Sequence, residues 1–376
     1  MLMNWISAGS RIARLAFSGR ACAARPLSEH RDAALDWLCR AQDATPDAGV
    51  SAGYHLKDGW LASYPETTGY IACTFFDAAA RCERDDLAAR AARMIDWLLG
   101  VQFAQGGFPG QFGERSRGPI VFNTGQILFG LLCAFDADPS RDDIATAAKR
   151  AANWLCETID NDGCWRVCTH NNVPHSYNAR TAWALLRFSR TFDDGRAEQA
   201  ALRNLHWTLA CRNPDGWFDH MSFRGGEPPF LHTIAYTLRG LLESGLLLCD
   251  DSLIDAAYRP ARALAESLRA NGAPAGAYRP GFAPCGRFRC LTGEAQMAVI
   301  WLKLWQQRPE PVFLDAARRA VRLVADTQSW TPPAGACGAI AGSQPIWGGY
   351  ARFEYPNWAA KFFIDAVLEL QSEEAR

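Results

Sequence analysis

Six apolar segments, each opened by polar residues, recur along this chain at a spacing that admits few folds. They begin near Thr67, Asn123, Asn178, His232, Thr292 and Asn357, at intervals of 56, 55, 54, 60 and 65 residues, the mark of a repeated supersecondary unit. Ile71-Ala72-Cys73-Thr74-Phe75-Phe76 shows the type: apolar on every face, and so a helix that must be buried. Ahead of each lies a helix with one apolar face. Four of these carry Trp-Leu or Trp-x-Leu, at Trp37-Leu38, Trp97-Leu98, Trp154-Leu155 and Trp207-Thr208-Leu209. Two later ones, around 261–270 and 316–327, keep the period without the Trp. Within each unit a loop rich in Gly and aromatics joins the two helices, as at Asp58-Gly59-Trp60 and Asp215-Gly216-Trp217. No convincing strand alternation appears. Six buried helices with six amphipathic partners close naturally into a ring within a ring. The expectation is an all-α fold, an (α/α)6 toroid of six helical hairpins with inner and outer helix rings. Its long loops would gather on one face and carry function. The Ser, Thr and Asn residues that open the inner helices are also good N-caps.

Residues 29–376 are read as a single toroid domain and residues 1–28 as a basic N-terminal segment. Met1 to Arg25 has four Arg and no acid, and its apolar runs are too short for a secretory signal. It is expected to pack on the body as a helix, with attachment to a membrane surface as the alternative. No stretch approaches the roughly 18 apolar residues of a membrane span. A net charge of −1 provides no basic field for nucleic acid. Thirteen scattered cysteines, several in apolar helical runs (Cys73, Cys133, Cys156), read as reduced thiols of a cytoplasmic protein. No phosphate-binding loop, nucleophile elbow or Rossmann unit appears, and no cofactor is expected. Oligomeric state is left open.

The first inner helix is entered by Ser63-Tyr64-Pro65-Glu66-Thr67-Thr68-Gly69-Tyr70, and the last by Phe353-Glu354-Tyr355-Pro356-Asn357-Trp358-Ala359. On these two stretches the chain resembles the VpsJ-type polysaccharide-biosynthesis proteins of bacterial exopolysaccharide clusters, within the six-hairpin and terpenoid-cyclase-like toroids. The resemblance spans roughly residues 30 to 370. It implies a role in polysaccharide assembly or processing and supplies no catalytic residues. Gln102-Phe103-Ala104-Gln105-Gly106-Gly107-Phe108 is similar to the Gln-x3-Gly-x-Trp repeat of triterpene cyclases, with Phe for Trp. Their Asp-x-Asp-Asp proton donor is missing, which argues against squalene-type cyclisation.

In a closed ring the first and sixth inner helices are neighbours, so Glu66 and Glu354 are expected at one mouth. Two carboxyls flanking a cleft suit glycoside hydrolysis, in which one protonates the leaving oxygen and the other activates water or attacks C1. A helix N-terminus would keep one of them ionised. The bland alternative has Glu66 capping its own helix and Glu354 paired with Arg352. A second toolkit, His175, Tyr177 and Arg180, suits β-elimination or C5-epimerisation of a uronate. Tyr64, Trp60, Asn123, Asn178, Trp217, Asp219, His232, Glu294, Arg352, Tyr355 and Trp347 are the candidate substrate-binding residues. Loop arginines at 115, 117, 166, 224, 279, 287, 289 and 352 favour an anionic glycan, although acids at 114, 219, 227 and 294 could neutralise many. Cys164-x3-Cys168-x-His170 and Cys285-x4-Cys290 have spacings zinc accepts, but they fall on non-adjacent hairpins, and no metal is expected.

The sequence thus points to a carbohydrate-active enzyme of exopolysaccharide biosynthesis or processing that binds an oligosaccharide or acidic polysaccharide. Hydrolysis through Glu66 and Glu354 is preferred, with a uronate lyase or C5-epimerase as the alternative. A non-catalytic glycan-binding assembly factor is the competing class.

Overall fold

Twelve helices alternate between an outer and an inner ring in the computed structural model, which describes residues 25–110 and 118–376. In chain order they are α1 (Leu27–Asp43), α2 (Pro65–Cys82), α3 (Asp85–Val101), α4 (Val121–Ala137), α5 (Asp142–Thr158), α6 (Ala179–Phe192), α7 (Gly195–Ala210), α8 (Leu231–Leu248), α9 (Asp251–Asn271), α10 (Leu291–Gln307), α11 (Pro311–Ala325) and α12 (Asn357–Glu374). Even-numbered helices form the inner ring. Each packs on the next, and α12 returns to α2, so the ring is closed. The fold is an (α/α)6 toroid. The N-terminal segment up to residue 24, with Glu114, Arg115 and Arg117, lies outside the described residues. No helix among the described residues is long and apolar enough to cross a membrane.

The division into rings follows from side-chain pattern. In α4, Val121 to Leu132 is buried without interruption. In α5, Ile144, Ala148, Ala151, Ala152 and Leu155 are buried while Asp142, Asp143 and Lys149 are not. Each fully buried large aliphatic contributes ~1.5–3 kcal/mol relative to exposure, so α4 is stable only with neighbours on all sides. Inner helices also touch backbone to backbone. A Cβ on Gly130 would lie 2.4 Å from the Gly69 carbonyl oxygen, and one on Gly240 would lie 2.4 Å from the Ala179 carbonyl carbon.

The two ends of the toroid differ. Short turns join each inner helix to the next outer one, and three of them pass through a left-handed residue: Glu83, Asp193 and Cys249 at φ 53°, 52° and 55°. Such residues end helices abruptly. Asp194 and Asp250 then cap α7 and α9 by accepting from the Ala197 and Ser252 amides. All long loops lie at the opposite end, where every inner helix begins.

Two expectations change there. The loops do contain strands, each of two or three residues. β1 (Gly53–His55) pairs with β2 (Gly59–Trp60) and, across the ring seam, with the last strand of the chain. β3 (Ala277–Arg279) pairs with β4 (Ala283–Cys285), and β5 (Arg289–Cys290) with β6 (Ser343–Gln344). The last strand is β7 (Glu354–Pro356). Such strands are too short for alternation to show in sequence. Second, no inner helix has a side-chain N-cap. The polar residues reach sideways instead. Thr68 Oγ1 accepts from the Val50 amide at 3.0 Å, and Thr124 Oγ1 from the Phe108 amide at 2.9 Å. They fasten each incoming loop to its helix.

The backbone contact between α2 and α4 generates a test. Gly130→Ala should lower unfolding free energy by about 1–3 kcal/mol, read by urea denaturation. An unchanged midpoint would mean that the helices can part without cost.

Candidate active site

A cavity of about 880 Å³ opens at the loop end of the toroid. Five of the six hairpins supply its lining: Tyr64, Glu66 and Tyr70 from the first, Gly110, Gly118 to Ile120 and Phe122 from the second, and Cys168 to Asn172 from the third. The fourth gives Phe223, His232 and Tyr236, and the sixth Tyr350, Glu354 and Trp358. Aromatic faces dominate, and only two carboxylates reach the wall among the described residues. This composition suits sugars, which present apolar ring faces and hydroxyl edges.

Glu66 sits in the first turn of α2 and is 5% exposed. Tyr64, just before the helix, donates its hydroxyl to Glu66 Oε2 at 2.7 Å. Asn123 Nδ2 donates to the Tyr64 oxygen at 3.3 Å and to the Pro109 carbonyl at 3.4 Å, which leaves Asn123 Oδ1 facing His170 Nε2 at 2.8 Å. His170 Nδ1 faces the Tyr177 hydroxyl at 2.9 Å. Because Asn123 Oδ1 can only accept, His170 carries its proton on Nε2 and Tyr177 donates to Nδ1. Every donor in the chain Tyr177–His170–Asn123–Tyr64 therefore points toward Glu66.

Burial and hydrogen bonding oppose each other at that carboxyl. Desolvation raises its pKa to about 7, against the Tyr64 hydroxyl and the charge of Arg180, which lower it. The helix N-terminus does not keep Glu66 in the ordinary carboxylate range, since burial outweighs it. Glu354 is also raised to about 7, by burial alone, with no hydrogen bond or neighbouring charge acting on its carboxyl among the described residues. Arg352 lies over the Phe353 ring at 5.1 Å and is not paired with it. His170 and His232 are both lowered to about 3 by burial, and are neutral near pH 7. Gln296 Nε2 donates to His232 Nδ1 at 2.6 Å, which leaves the His232 proton on Nε2.

The toroid is shared with enzymes of carbohydrate metabolism. A heparin-specific unsaturated glucuronyl hydrolase superposes with TM-score 0.73 at 15% identity, covering 93% of this chain and 98% of its own. The unsaturated glucuronyl hydrolase of Bacillus sp. GL1 does so at 0.72 and 14%, over 93% and 97%. Cellobiose 2-epimerase from Spirochaeta thermophila gives 0.69 and 16%, over 93% and 98%. At such identities the likeness is one of fold. In sequence, residues 57–241 are similar to the squalene-hopene cyclase C-terminal domain. Among curated proteins none is similar in sequence.

Of the residues singled out from sequence, Glu66, Glu354, Tyr64 and His232 line the cavity, and Asn123 stands behind Tyr64. The second toolkit does not reach the wall. His175 stacks on Tyr177 with centroids 4.3 Å apart, and its nitrogens face the carbonyls of Ser222 at 3.0 Å and His170 at 2.7 Å. Tyr177 is fully buried. Arg180 is buried beneath the cavity, its Nε donating to Gln126 Oε1 at 2.5 Å. Asn178 is buried in a short 3-10 turn.

Several aromatics expected to present a free face are packed. Trp217 is 4% exposed and meets Phe282, while Trp60 packs between Trp37 and Tyr54. Tyr355 is buried in β7. Glu294 is fully buried in an ion pair with Arg289 at 2.5 Å, and Asp219 accepts from Asn213 at 3.4 Å. Trp347 is 43% exposed in the last loop. No group of three His, Cys, Asp or Glu among the described residues could hold a metal ion, and both ring nitrogens of His170 are already engaged.

Tyr70, Tyr236, Tyr350, Phe122, Phe223 and Trp358 were not foreseen. A signal for part of that set was present. Two to four residues after the polar openings at Thr67, Asn123, Asn178, His232, Thr292 and Asn357 stand Tyr70, Gln126, Arg180, Tyr236, Gln296 and Lys361, all polar and all buried. Polar residues at one repeated position of an apolar helix mark the face that meets the axis.

The raised carboxyl makes a stability prediction. Glu66 has its folded pKa above its unfolded value of 4.5. Its contribution is therefore fully present below pH 4.5 and is lost as pH rises through about 7. Glu66→Gln abolishes that titration. The variant should gain stability relative to the wild type across this window, by about 3 kcal/mol, in urea denaturation at a series of pH values. Parallel curves would show that Glu66 ionises freely.

Proposed function

We propose that this chain is a glycoside hydrolase acting through Glu66 and Glu354 on an oligosaccharide held in the aromatic cavity. The observation that carries the reading is a pair of raised carboxyls lining one cavity, of which only Glu66 has a hydrogen-bond donor. Tyr64 supplies an O–H to Glu66 and favours its anion, whereas the half-buried Glu354 has no donor and is raised to about 7 by burial alone, which favours its acid form. Glu354 then protonates the glycosidic oxygen as the C1–O bond breaks. Glu66 takes a proton from water as the water oxygen bonds to C1. Each turnover consumes one water and returns the acid and base after proton exchange with solvent.

The alternative of a lyase or C5-epimerase would run through His175, Tyr177 and Arg180, whose polar atoms are turned to backbone carbonyls, His170 and Gln126. We read the substrate as uncharged in preference to acidic. Arg166 is paired with Asp160 and Asp162, Arg289 with Glu294, and Arg224 with Glu227. Arg279, Arg287 and Arg352 are exposed and do not line the cavity. The likeness of the Tyr64–Tyr70 and Glu354–Ala359 stretches to VpsJ-type proteins supports a place in exopolysaccharide assembly or processing. Twelve cysteines among the described residues are free, which supports a reducing compartment such as the cytoplasm. The domain is read as one toroid from residue 29 onward.

The test is release of reducing ends from a panel of neutral gluco- and galacto-oligosaccharides and uronate-containing oligosaccharides. Neutral members should be cut, with Glu66→Gln reducing kcat/KM ~10²-fold or more. Cleavage of uronate members alone would move the substrate to the acidic class. Unsaturated products would move the reaction to elimination. Binding without cleavage would leave a glycan-binding factor.

A pH profile separates the two carboxyls. Activity needs Glu66 ionised and Glu354 protonated, so kcat/KM should be bell-shaped with its maximum near neutrality, both groups lying at about 7. Tyr64→Phe removes the donor to Glu66, and the acidic limb should move to higher pH while the basic limb stays in place. Movement of the basic limb instead would exchange the two roles.

A further inference from the structure

We infer that the cavity is a blind pocket that takes glycans end first, so that the chain is an exo-acting enzyme releasing one or two sugar units from a terminus. This rests on the hydrolytic reading above and defines the substrates to which it applies.

The floor is solid. Tyr70 and Tyr236 line the bottom of the cavity and are each 2% exposed. Beneath them the Arg180 guanidinium lies 5.3–5.7 Å from the rings of Tyr236, Trp183, Phe129 and Phe362. Further along the inner helices the charges pair with one another. Lys361 meets Asp365, which also accepts from Thr74 at 2.7 Å. Glu243 meets Arg239 at 2.6 Å and Lys303 at 3.3 Å. A glycan strand cannot run along the axis.

Among the described residues, the side wall is also closed in the sector of the fifth hairpin. The fifth hairpin contributes nothing to the lining, and a cleft could have opened there. Instead the last long loop crosses that sector and inserts Tyr350. Its ring lies 5.1 Å from both Phe230 and His232, and its hydroxyl accepts from Trp358 Nε1 at 2.8 Å. Ser343 fixes the loop by accepting from the Tyr350 amide at 3.1 Å and donating to its carbonyl at 2.5 Å. The same loop is packed so closely on the fifth hairpin that a Cβ on Gly348 would lie 2.7 Å from Phe288 Cβ. A polymer bound mid-chain needs two exits, and among the described residues both the floor and the fifth hairpin's sector are closed to one.

The depth sets the product size. Glu66 and Tyr70 are four residues apart on α2, about 6 Å along its axis, which is close to the length of one sugar unit. About one unit therefore fits between the carboxyl and the floor. The whole volume, about 880 Å³, is within the roughly 300–1,000 Å³ that encloses a compact ligand. It holds a short oligosaccharide end and no more.

The experiment uses the full chain and gluco- or galacto-oligosaccharides labelled at the reducing end with one fluorophore, beside unlabelled cyclic gluco-oligosaccharides. Electrophoresis and mass spectrometry of early time points read the products. The expected result is mono- or disaccharide release from the first points, a ladder that shortens stepwise, and cyclic glycans left intact. Early mid-chain fragments, or opening of the cyclic forms, would overturn end-first binding while leaving hydrolysis standing. Absence of any product would overturn the hydrolytic reading and this inference with it.

Discussion

The seam that joins the sixth inner helix to the first is the constraint on which the rest of the molecule depends. Asn357 opens α12 and reaches across it. Its amide donates to the Ala52 carbonyl at 2.9 Å, and its Nδ2 to the Ser51 carbonyl and Thr67 Oγ1, both at 2.8 Å. β7 pairs with β1 beside it, in the register Gly53 with Pro356, Tyr54 with Tyr355 and His55 with Glu354. Successive side chains of a strand point to opposite faces. That is why Glu354 reaches the cavity while Tyr355 is buried in the body. A slip of one residue would exchange them. Gly53 enforces the register: a Cβ there would lie 2.5 Å from the Tyr355 carbonyl oxygen and 3.2 Å from Glu354 Oε1. Closing the ring thus places a proposed catalytic group as a by-product.

Within the cavity, burial decides charge more than any single partner does. Two imidazoles, His170 and His232, are pushed to about 3 and are neutral near pH 7, while two carboxyls are pushed up to about 7. Both shifts have one cause, the low dielectric of an aromatic-lined space. The two carboxyls reach that value by different routes, since at Glu66 a hydrogen bond and a charge oppose a deeper burial. Glu66 has the Tyr64 hydroxyl and the positive charge of Arg180 beneath it, and Glu354 has neither. The buried guanidinium thereby acts on the site without itself lining the cavity, kept in place by Gln126 and four aromatic rings.

The rings of helices were legible because burial imposes periodicity. Inner helices expected near Thr67, Asn123, Asn178, His232, Thr292 and Asn357 begin at Pro65, Val121, Ala179, Leu231, Leu291 and Asn357. Tyr64, Glu66, Asn123, His232 and Glu354 could be placed at one mouth because they sit at or next to those starts. The loops followed no such rule. Trp217 and Trp60 share the Gly-Trp pattern of an exposed platform, yet each is consumed by packing against its own neighbours. Tyr350 stands in a Gly-rich stretch with no period, and nothing local says that the stretch crosses another hairpin. The role of the polar openings was misjudged for a related reason. A threonine at a helix start can cap its own helix or hold a loop from elsewhere, and the loop's path decides which.

The two ends of the toroid divide the work accordingly. At the turn end, left-handed residues stop the helices sharply and inner-facing charges neutralise one another. That half is therefore fixed by local chemistry that repeats from hairpin to hairpin. At the loop end, five hairpins contribute different side chains, and the fifth in chain order gives none because the last loop takes its place. A toroid can change substrate by altering these loops without disturbing the ring, since the backbone contacts at Gly69, Gly130 and Gly240 lie in the helices. The seam is the exception. There the loop carrying Glu354 is itself part of ring closure, so this side of the site cannot be redesigned independently of the fold.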